Sequence, residues 1–157
     1  MPFMKPVLIL SCCAAFSAGL AHAAASAPPI LLGVPNAPEA KMVSDTVKYY
    51  DAWGLQKTLE VVNGDAKRQN HCLALFDLQG KLLGVSQPEL KAKIGSDAGS
   101  LKMGNGMFSA ADLLAEGRRY KKPEDWQRFV SYAPPKRDMY VRLHDKLMFV
   151  CDPSLGK

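Results

Sequence analysis

The sequence predicts an α+β domain in which a long N-terminal helix packs on a five-stranded antiparallel sheet. Apolar residues recur at helical spacing in the first half of the chain, and a period of two begins near His71 and returns in the last third. A glycine-punctuated stretch separates these two strand regions. Runs of strands flanked by helices are typical of an antiparallel sheet that is covered by helical segments.

The first 23 residues have the order of a secretory signal peptide. Lys5 precedes an apolar run over 6–20, and a triplet of small residues ends at Ala23, after which we expect cleavage and release into the periplasm or the medium. The alternative is a lipoprotein anchored at Cys12, because residues 9–12 (Ile-Leu-Ser-Cys) loosely resemble a lipobox. No later apolar run reaches the roughly 18 residues of a membrane span, so we expect no span after cleavage.

Residues 24–43 contain several prolines and no helical or strand period, which predicts an extended leader. The first helix is predicted to begin at Ser44 or Asp45, either of which can cap it, and to end at about Asn63, before Gly64. Its predicted buried stripe consists of residues three and four apart, namely Ala52, Leu55, Leu59 and Val62. Gly54 lies inside this helix and predicts a bend or a close backbone approach there.

The predicted strands cover 72–76, 81–86, 126–133, 138–143 and 147–151. The first of them is apolar on both faces, which indicates a central strand. Gly80 can adopt the positive φ of the turn that leads into the second predicted strand. Four glycines between residues 95 and 106 exclude one regular element in the middle of the chain. Ser109 then caps a short helix that is predicted to end at Glu116.

Cys72 and Cys151 are the two cysteines outside the predicted signal. In an oxidising compartment they can pair as a disulfide. The alternative is that both are small buried apolar residues, as free cysteines often are.

The order of these elements and several short motifs resemble the single Cache domain, an extracytoplasmic PAS-like sensor module. The motifs are Leu-Glu-Val-Val-Asn at 59–63, Leu-Phe-Asp-Leu-Gln-Gly-Lys-Leu-Leu at 75–83, Phe-Val-Ser-Tyr-Ala-Pro at 129–134 and Arg-Asp-Met-Tyr-Val at 137–141. The resemblance implies one Cache-like domain over 44–157. The chain departs from the family after Leu83, where Gly-Val-Ser stands in place of the common Ala-His-Pro.

The resemblance implies a ligand site between the sheet and the irregular middle segment, with aromatic walls. Arg137 is the best candidate for binding a small organic anion, because its planar guanidinium can pair with a carboxylate through two hydrogen bonds. The alternative role for Arg137 is a solvated cation in a turn. The other candidate ligand-binding residues are Tyr132, Tyr140, Phe129, Phe108 and Met107. The strand aromatics among them can equally be core residues, and Met107 and Phe108 begin the segment expected to close over the site.

We therefore expect a periplasmic module that binds a small organic anion or similar metabolite and acts through a separate membrane receptor, kinase or transporter. The alternative is a degenerate Cache fold that serves as a protein-interaction module without a small-molecule ligand. No enzyme is expected, because no Gly-x-Ser-x-Gly, His-Glu-x-x-His or phosphate-binding loop motif occurs. A formal net charge of only +5 does not argue for nucleic acid, and the spacing of cysteines, histidines and carboxylates predicts no metal or other cofactor.

Overall fold

The computed structural model describes residues 37–64, 72–123, 126–132 and 137–157, the last range without the side chain of Arg137. All of these residues belong to one structural unit, Gly33–Lys157. The predicted signal peptide with Cys12, most of the predicted leader and His71 lie outside the described residues.

In chain order the elements are α1 (Pro38–Gly64), β1 (Leu73–Asp77), β2 (Leu82–Val85), a 3₁₀ segment (Pro88–Lys93), β3 (Lys102–Met103), β4 (Phe108–Ser109), α2 (Ala110–Arg118), β5 (Gln127–Tyr132), β6 (Arg137–His144) and β7 (Leu147–Cys151). Five strands form an antiparallel sheet in the order β2-β1-β7-β6-β5, and β3 pairs with β4 separately. The predicted fold class, a long N-terminal helix on a five-stranded antiparallel sheet, is confirmed.

The helix α1 starts earlier than predicted and is broken where predicted. Its first residue is Pro38, not Ser44, because the fixed φ of proline suits the first turn of a helix. Gly54 has φ 76° and ψ 177°, a conformation that is essentially restricted to glycine. Met42 and Val61 line one groove, although an unbroken helix would place them roughly 28 Å apart. The second half of α1 therefore folds back beside the first.

The predicted buried stripe of α1 is wrong in its first half. Ala52 and Leu55 are exposed, whereas Leu59 is half-buried and Val62 is buried. The predicted helical period crosses the break at Gly54, so Ala52 before the break does not share a face with Leu59 and Val62 after it. Leu55 directly follows the break and is exposed. The first half of α1 instead buries Ala40, Val43 and Val47.

The sheet is covered on both sides. On what we call the helix face, α1 packs over a cluster that includes Leu75 and Phe149. On the loop face, the segment 88–118 packs over a cluster that includes Phe76 and Met148. Neighbouring residues of a strand point to opposite faces, which explains why β1 is apolar throughout. Its position between β2 and β7 confirms the prediction of a central strand.

The middle segment contains more structure than predicted, namely the 3₁₀ segment and the β3–β4 pair. Its helix α2 begins as predicted, because the side chain of Ser109 accepts a hydrogen bond from Asp112 N at 3.1 Å. The Asp112 carboxylate in turn accepts from Ser109 N at 2.9 Å, and these bonds to Ser109 lower the pKa of Asp112. The helix continues past the predicted end at Glu116 to Arg118.

Cys72 and Cys151 form a disulfide between the beginning of β1 and the end of β7. The sequence left open whether these cysteines form a disulfide or remain free and buried, and the structure contains the disulfide. The bond joins residues 79 positions apart, for which the chain-entropy model gives about 4 kcal/mol of stabilisation. It is consistent with an extracytoplasmic domain, because such bonds persist in oxidising compartments. Within the described ranges, no helix is long and apolar enough to cross a membrane.

Candidate functional site

The predicted site residues are divided between the two faces of the sheet. Tyr132 belongs to the cluster on the loop face, whereas Tyr140 and Phe129 lie on the helix face. In the β5–β6 pair, Phe129 stands opposite Tyr140 and Tyr132 stands opposite Arg137. The side chain of Arg137 lies outside the described residues, so its predicted role is not tested. The structure does not bring Tyr132 and Tyr140 together.

Both tyrosine hydroxyls donate to groups within the protein. Tyr132 is 9% exposed and donates to Asp152 Oδ1 at 2.8 Å. Tyr140 is fully buried and donates to Gln127 Oε1. Burial raises the pKa of Tyr140, and the nearby Arg142 offsets part of this effect. Each tyrosine ring is therefore part of the packing on its own face of the sheet.

Met107 and Phe108 lie at the turn between β3 and β4. Met107 is 53% exposed, and Phe108 is half-buried against the loop-face cluster. The Arg128 guanidinium lies 4.6 Å from the centre of the Phe108 ring and forms an ion pair with Glu116. Phe108 is therefore covered by a cation–π contact within the chain.

Large buried side chains pack between the sheet and the middle segment, where the Cache resemblance implies a ligand. They are Phe76, Leu82, Met103, Leu113, Trp126, Met139, Leu143 and Met148. A groove of about 410 Å³ remains between the β1–β2 turn and the middle segment, where Gly80, Asp97 and Arg118 are among its lining residues.

Asp152 attaches the middle segment to the sheet. It is completely buried, and its carboxylate accepts hydrogen bonds from Gly104 N at 2.6 Å and from Ser154 N at 2.8 Å, in addition to Tyr132. Asn105 N donates to Ser154 Oγ at 2.7 Å. Gly104 and Asn105 have φ values of 59° and 56°, so this turn cannot satisfy its own amides in a helix or strand. Asp152 and Ser154 supply the missing acceptors.

A cleft of about 490 Å³ lies at the end of the sheet that carries the disulfide, and we call it the disulfide-end cleft. Its walls come from the first turns of α1, the 3₁₀ segment and the residues after β7. The apolar lining residues are Pro38, Met42, Pro88, Leu90, Pro153 and Leu155. The disulfide also lines it, with Met42 Sδ 3.6 Å from Cys72 Sγ. Its volume is within the range of small-molecule sites.

Two residues that line this cleft each have an acceptor oxygen that is shielded from solvent and has no hydrogen-bond partner. These oxygens are Glu39 Oε2 and Gln87 Oε1, which accept no bond from the described residues. Gln87 is 6% exposed, and its Nε2 donates to the backbone oxygen of Asp152 at 3.2 Å. That bond fixes the amide orientation, because a flipped amide would set two oxygens against each other. A buried acceptor without a donor costs about 1 to 3 kcal/mol.

The candidate ligand-binding residues predicted from the sequence do not include Glu39 or Gln87. The sequence predicts an extended leader at Glu39, and Gln87 lies between β2 and the proline that follows it. Neither belongs to a motif or a periodic pattern. Only the packing of α1 against the 3₁₀ segment and the C-terminal residues brings them into one cleft.

No protein-family model matches the chain, and no curated protein matches it. In the part of the chain that the structure describes, no group of three or more His, Cys, Asp or Glu side chains could hold a metal ion.

Proposed function

We propose that this protein is an extracytoplasmic, Cache-like module that binds a small molecule in the disulfide-end cleft and acts through a separate membrane receptor, kinase or transporter. The Cache-like assignment is supported by the motifs, by the helix-on-sheet fold and by the disulfide. The observation that carries the binding function is the disulfide-end cleft, whose volume of about 490 Å³ and many apolar lining residues suit a small molecule.

The composition of the cleft is that of a ligand site. Small-molecule sites are mostly apolar, with a few polar groups that fix the orientation of the ligand. Here the proline, leucine and methionine side chains supply apolar wall, and residues such as Glu39, Gln87 and Glu89 add polar groups to the lining.

An organic anion bound by Arg137 remains a prediction. Such an anion would not suit the disulfide-end cleft, because the carboxylate of Glu39 repels it there. The proposed cleft and the predicted Arg137 site are therefore separate hypotheses.

A thermal-shift screen tests the binding function. The protein is expressed with its N-terminal segment, purified from the periplasm and screened against small amines, carboxylates and neutral metabolites. A compound at 100 times its dissociation constant adds about 2.7 kcal/mol, which raises the melting temperature by several degrees. We expect the shift to disappear in Gln87→Leu and to persist in Gln79→Leu, since Gln79 is exposed in the β1–β2 turn.

A flat screen of a folded sample would contradict this proposal and favour the second candidate function, a protein-interaction module. The large buried side chains of the loop-face cluster support that candidate. So does Trp53, which is 65% exposed next to the break in α1. A protein-interaction module would bind its partner less tightly after Trp53→Ser, and no compound would change its melting temperature.

A further inference from the structure

We propose that β5 pairs with the β5 strand of a second copy of this chain, so that two five-stranded sheets join edge to edge. Such self-association is independent of what the disulfide-end cleft binds. The sheet has two edge strands, β2 and β5, and they differ in what covers them.

The outer edge of β2 is covered by the same chain. Leu82 N donates to the backbone oxygen of Ser96 at 3.1 Å, and Leu82 O accepts from Gly95 N at 2.7 Å. Val85 N donates to Asn63 Oδ1 of α1 at 2.9 Å. These backbone groups of β2 are therefore already bonded and cannot pair with another strand.

The outer edge of β5 is open. The register of β5 and β6 places Trp126 opposite Leu143, and Leu143 N donates to Trp126 O at 2.9 Å. Bonded pairs alternate along an antiparallel ladder, so residues 128, 130 and 132 bond to β6. The residues between them direct their backbone groups away from the sheet, namely Gln127, Phe129 and Ser131. In the part of the chain that the structure describes, no group bonds to these backbone atoms.

β5 lacks the features that protect edge strands. Natural edge strands are commonly short, bulged or interrupted by lysine or proline, which discourages pairing with another chain. β5 has six residues in unbroken register with β6 and contains neither lysine nor proline. Its one charged side chain, Arg128, pairs with Glu116 and lies over the Phe108 ring. The outward-facing residues of β5 are all uncharged.

One antiparallel register pairs all three outward-facing residues. Two copies related by a two-fold axis present the same strand to each other, so their β5 strands run antiparallel. Pairing Gln127 with Ser131 of the other copy places the two Phe129 residues opposite each other. Phe129 is half-buried in the single chain, and this aromatic cross-strand pair covers more of it. Arg128 then stands opposite Val130 of the other copy, so like charges do not meet across the junction.

Sedimentation velocity over a range of protein concentrations tests the self-association. We expect the mass to rise from one chain to two as the concentration increases. Ser131→Pro removes an outward N–H that the ladder with β6 does not use, and we expect it to weaken the dimer by about tenfold or more.

Ser131→Ala is the matched control for Ser131→Pro. Both variants lose the hydrogen bond that Ser131 Oγ donates to Asp138 Oδ1 at 2.6 Å, but alanine keeps the N–H and should keep the dimer. Far-ultraviolet circular dichroism and the melting temperature establish that each variant is folded.

Amide hydrogen exchange measured by NMR tests the location without any variant. We expect the amides of Gln127, Phe129 and Ser131 to exchange more slowly at high protein concentration than at low concentration. The amides of Arg128 and Val130 already bond to β6 and should change less. This alternation along β5 is the signature of a strand that gains a partner on its outer edge.

The other outcomes overturn the proposal. A chain that stays monomeric up to about 1 mM does not pair with itself. A dimer that Ser131→Pro leaves unchanged, or one in which the slowed amides lie in another element, is built on a different surface. If the outward amides of β5 become protected only when another protein is added, the edge takes a foreign strand and not a second copy.

Discussion

The helix face and the loop face of the sheet each bury an apolar cluster but are covered in different ways. On the helix face a single element, α1, docks through small and branched apolar residues such as Val43, Val47 and Val62. On the loop face the cover is a 3₁₀ segment, a two-stranded pair, a short helix and the turns between them. A buried carboxylate, Asp152, is part of that second cover.

The two covers differ because a helix and an irregular turn differ in how many of their backbone groups already have hydrogen-bond partners. A helix satisfies nearly all of its own amide and carbonyl groups, so apolar contact alone can attach it to a sheet. An irregular turn has amides without partners, and these must find acceptors before the turn can be buried. Asp152 and Ser154 provide such acceptors for Gly104 and Asn105. The loop face should therefore depend on a few polar side chains and the helix face on backbone geometry.

The largest effect is expected for Asp152→Ala, which tests the polar attachment of the loop face. The change leaves the buried amide of Gly104 and the amide of Ser154 without their acceptor. At about 1 to 3 kcal/mol for each buried group, we expect a loss of about 2 to 6 kcal/mol in the free energy of unfolding. Equilibrium denaturation in urea measures it.

The control for this prediction is Asp97→Ala. Asp97 also accepts a backbone hydrogen bond, from Gly99 N at 2.9 Å, but its side chain is exposed. Water replaces the lost acceptor there, so we expect a change within about 0.5 kcal/mol. Equal losses in the two variants would contradict the distinction between buried and exposed acceptors.

A smaller effect is expected for Gly54→Ala, which tests the backbone geometry of the helix face. A Cβ at this position meets no atom within 4 Å, so any loss comes from the φ of +76° alone. Such a conformation costs a residue other than glycine about 1 to 3 kcal/mol, and the urea midpoint should fall accordingly.

Gly64→Ala is the matched control for Gly54→Ala. Gly64 also lies in α1 with open space around it, and its φ is not in the left-handed region. Alanine should be neutral or stabilising there by up to about 1 kcal/mol. If Gly54→Ala were equally harmless, the break in α1 would not depend on glycine.

The smallest effect concerns pH at the junction of α1 with the β6–β7 turn. Tyr50 Oη donates to Asp145 Oδ2 at 2.7 Å, and this bond, together with burial, raises the pKa of Tyr50 to about 12. Because the folded pKa lies above the unfolded value of 10.0, the contribution is fully present below pH 10 and is lost as the pH rises toward 12. The pair is partly exposed to solvent, so we expect less than about 1 kcal/mol.

Urea denaturation at pH 9 and pH 11 measures this contribution. Tyr50→Phe keeps the ring contacts with His144 and Phe149 and removes the hydroxyl. It should lose less stability between the two pH values than the unmodified protein does. Tyr49→Phe serves as the control on the same helix. A pH dependence that is unchanged in Tyr50→Phe would refute the assignment.

The regular elements could be predicted because their signals are local. The predicted strand 147–151 coincides with β7, since an apolar run ends there before Pro153. Ser109 and Asp112 lie three residues apart and form the predicted helix start. The exposure of Ala52 could not be predicted, because the periodicity does not show that the helix is broken at Gly54.

The candidate site could not be predicted from the sequence, for two reasons. Whether Tyr132 and Tyr140 share a face depends on the register of β5 and β6, and a shift of one residue moves every side chain of a strand to the other face. Glu39 lies in the first turn of α1 and Gln87 directly before the 3₁₀ segment, and only tertiary packing brings these two residues into the lining of one cleft. The sequence patterns of the strands indicate neither the register of β5 and β6 nor the lining of the cleft.

The disulfide also decides how the domain would respond to mechanical tension. A force applied between α1 and the C-terminal residue passes from Cys72 to Cys151 through the covalent bond. The strands and the middle segment between the two cysteines carry none of that load. The chain between the two cysteines is roughly 270 Å long when extended. This length would add to the extension measured in a single-molecule pulling experiment only after the disulfide is reduced. Tension could therefore detach α1 while the sheet remains folded.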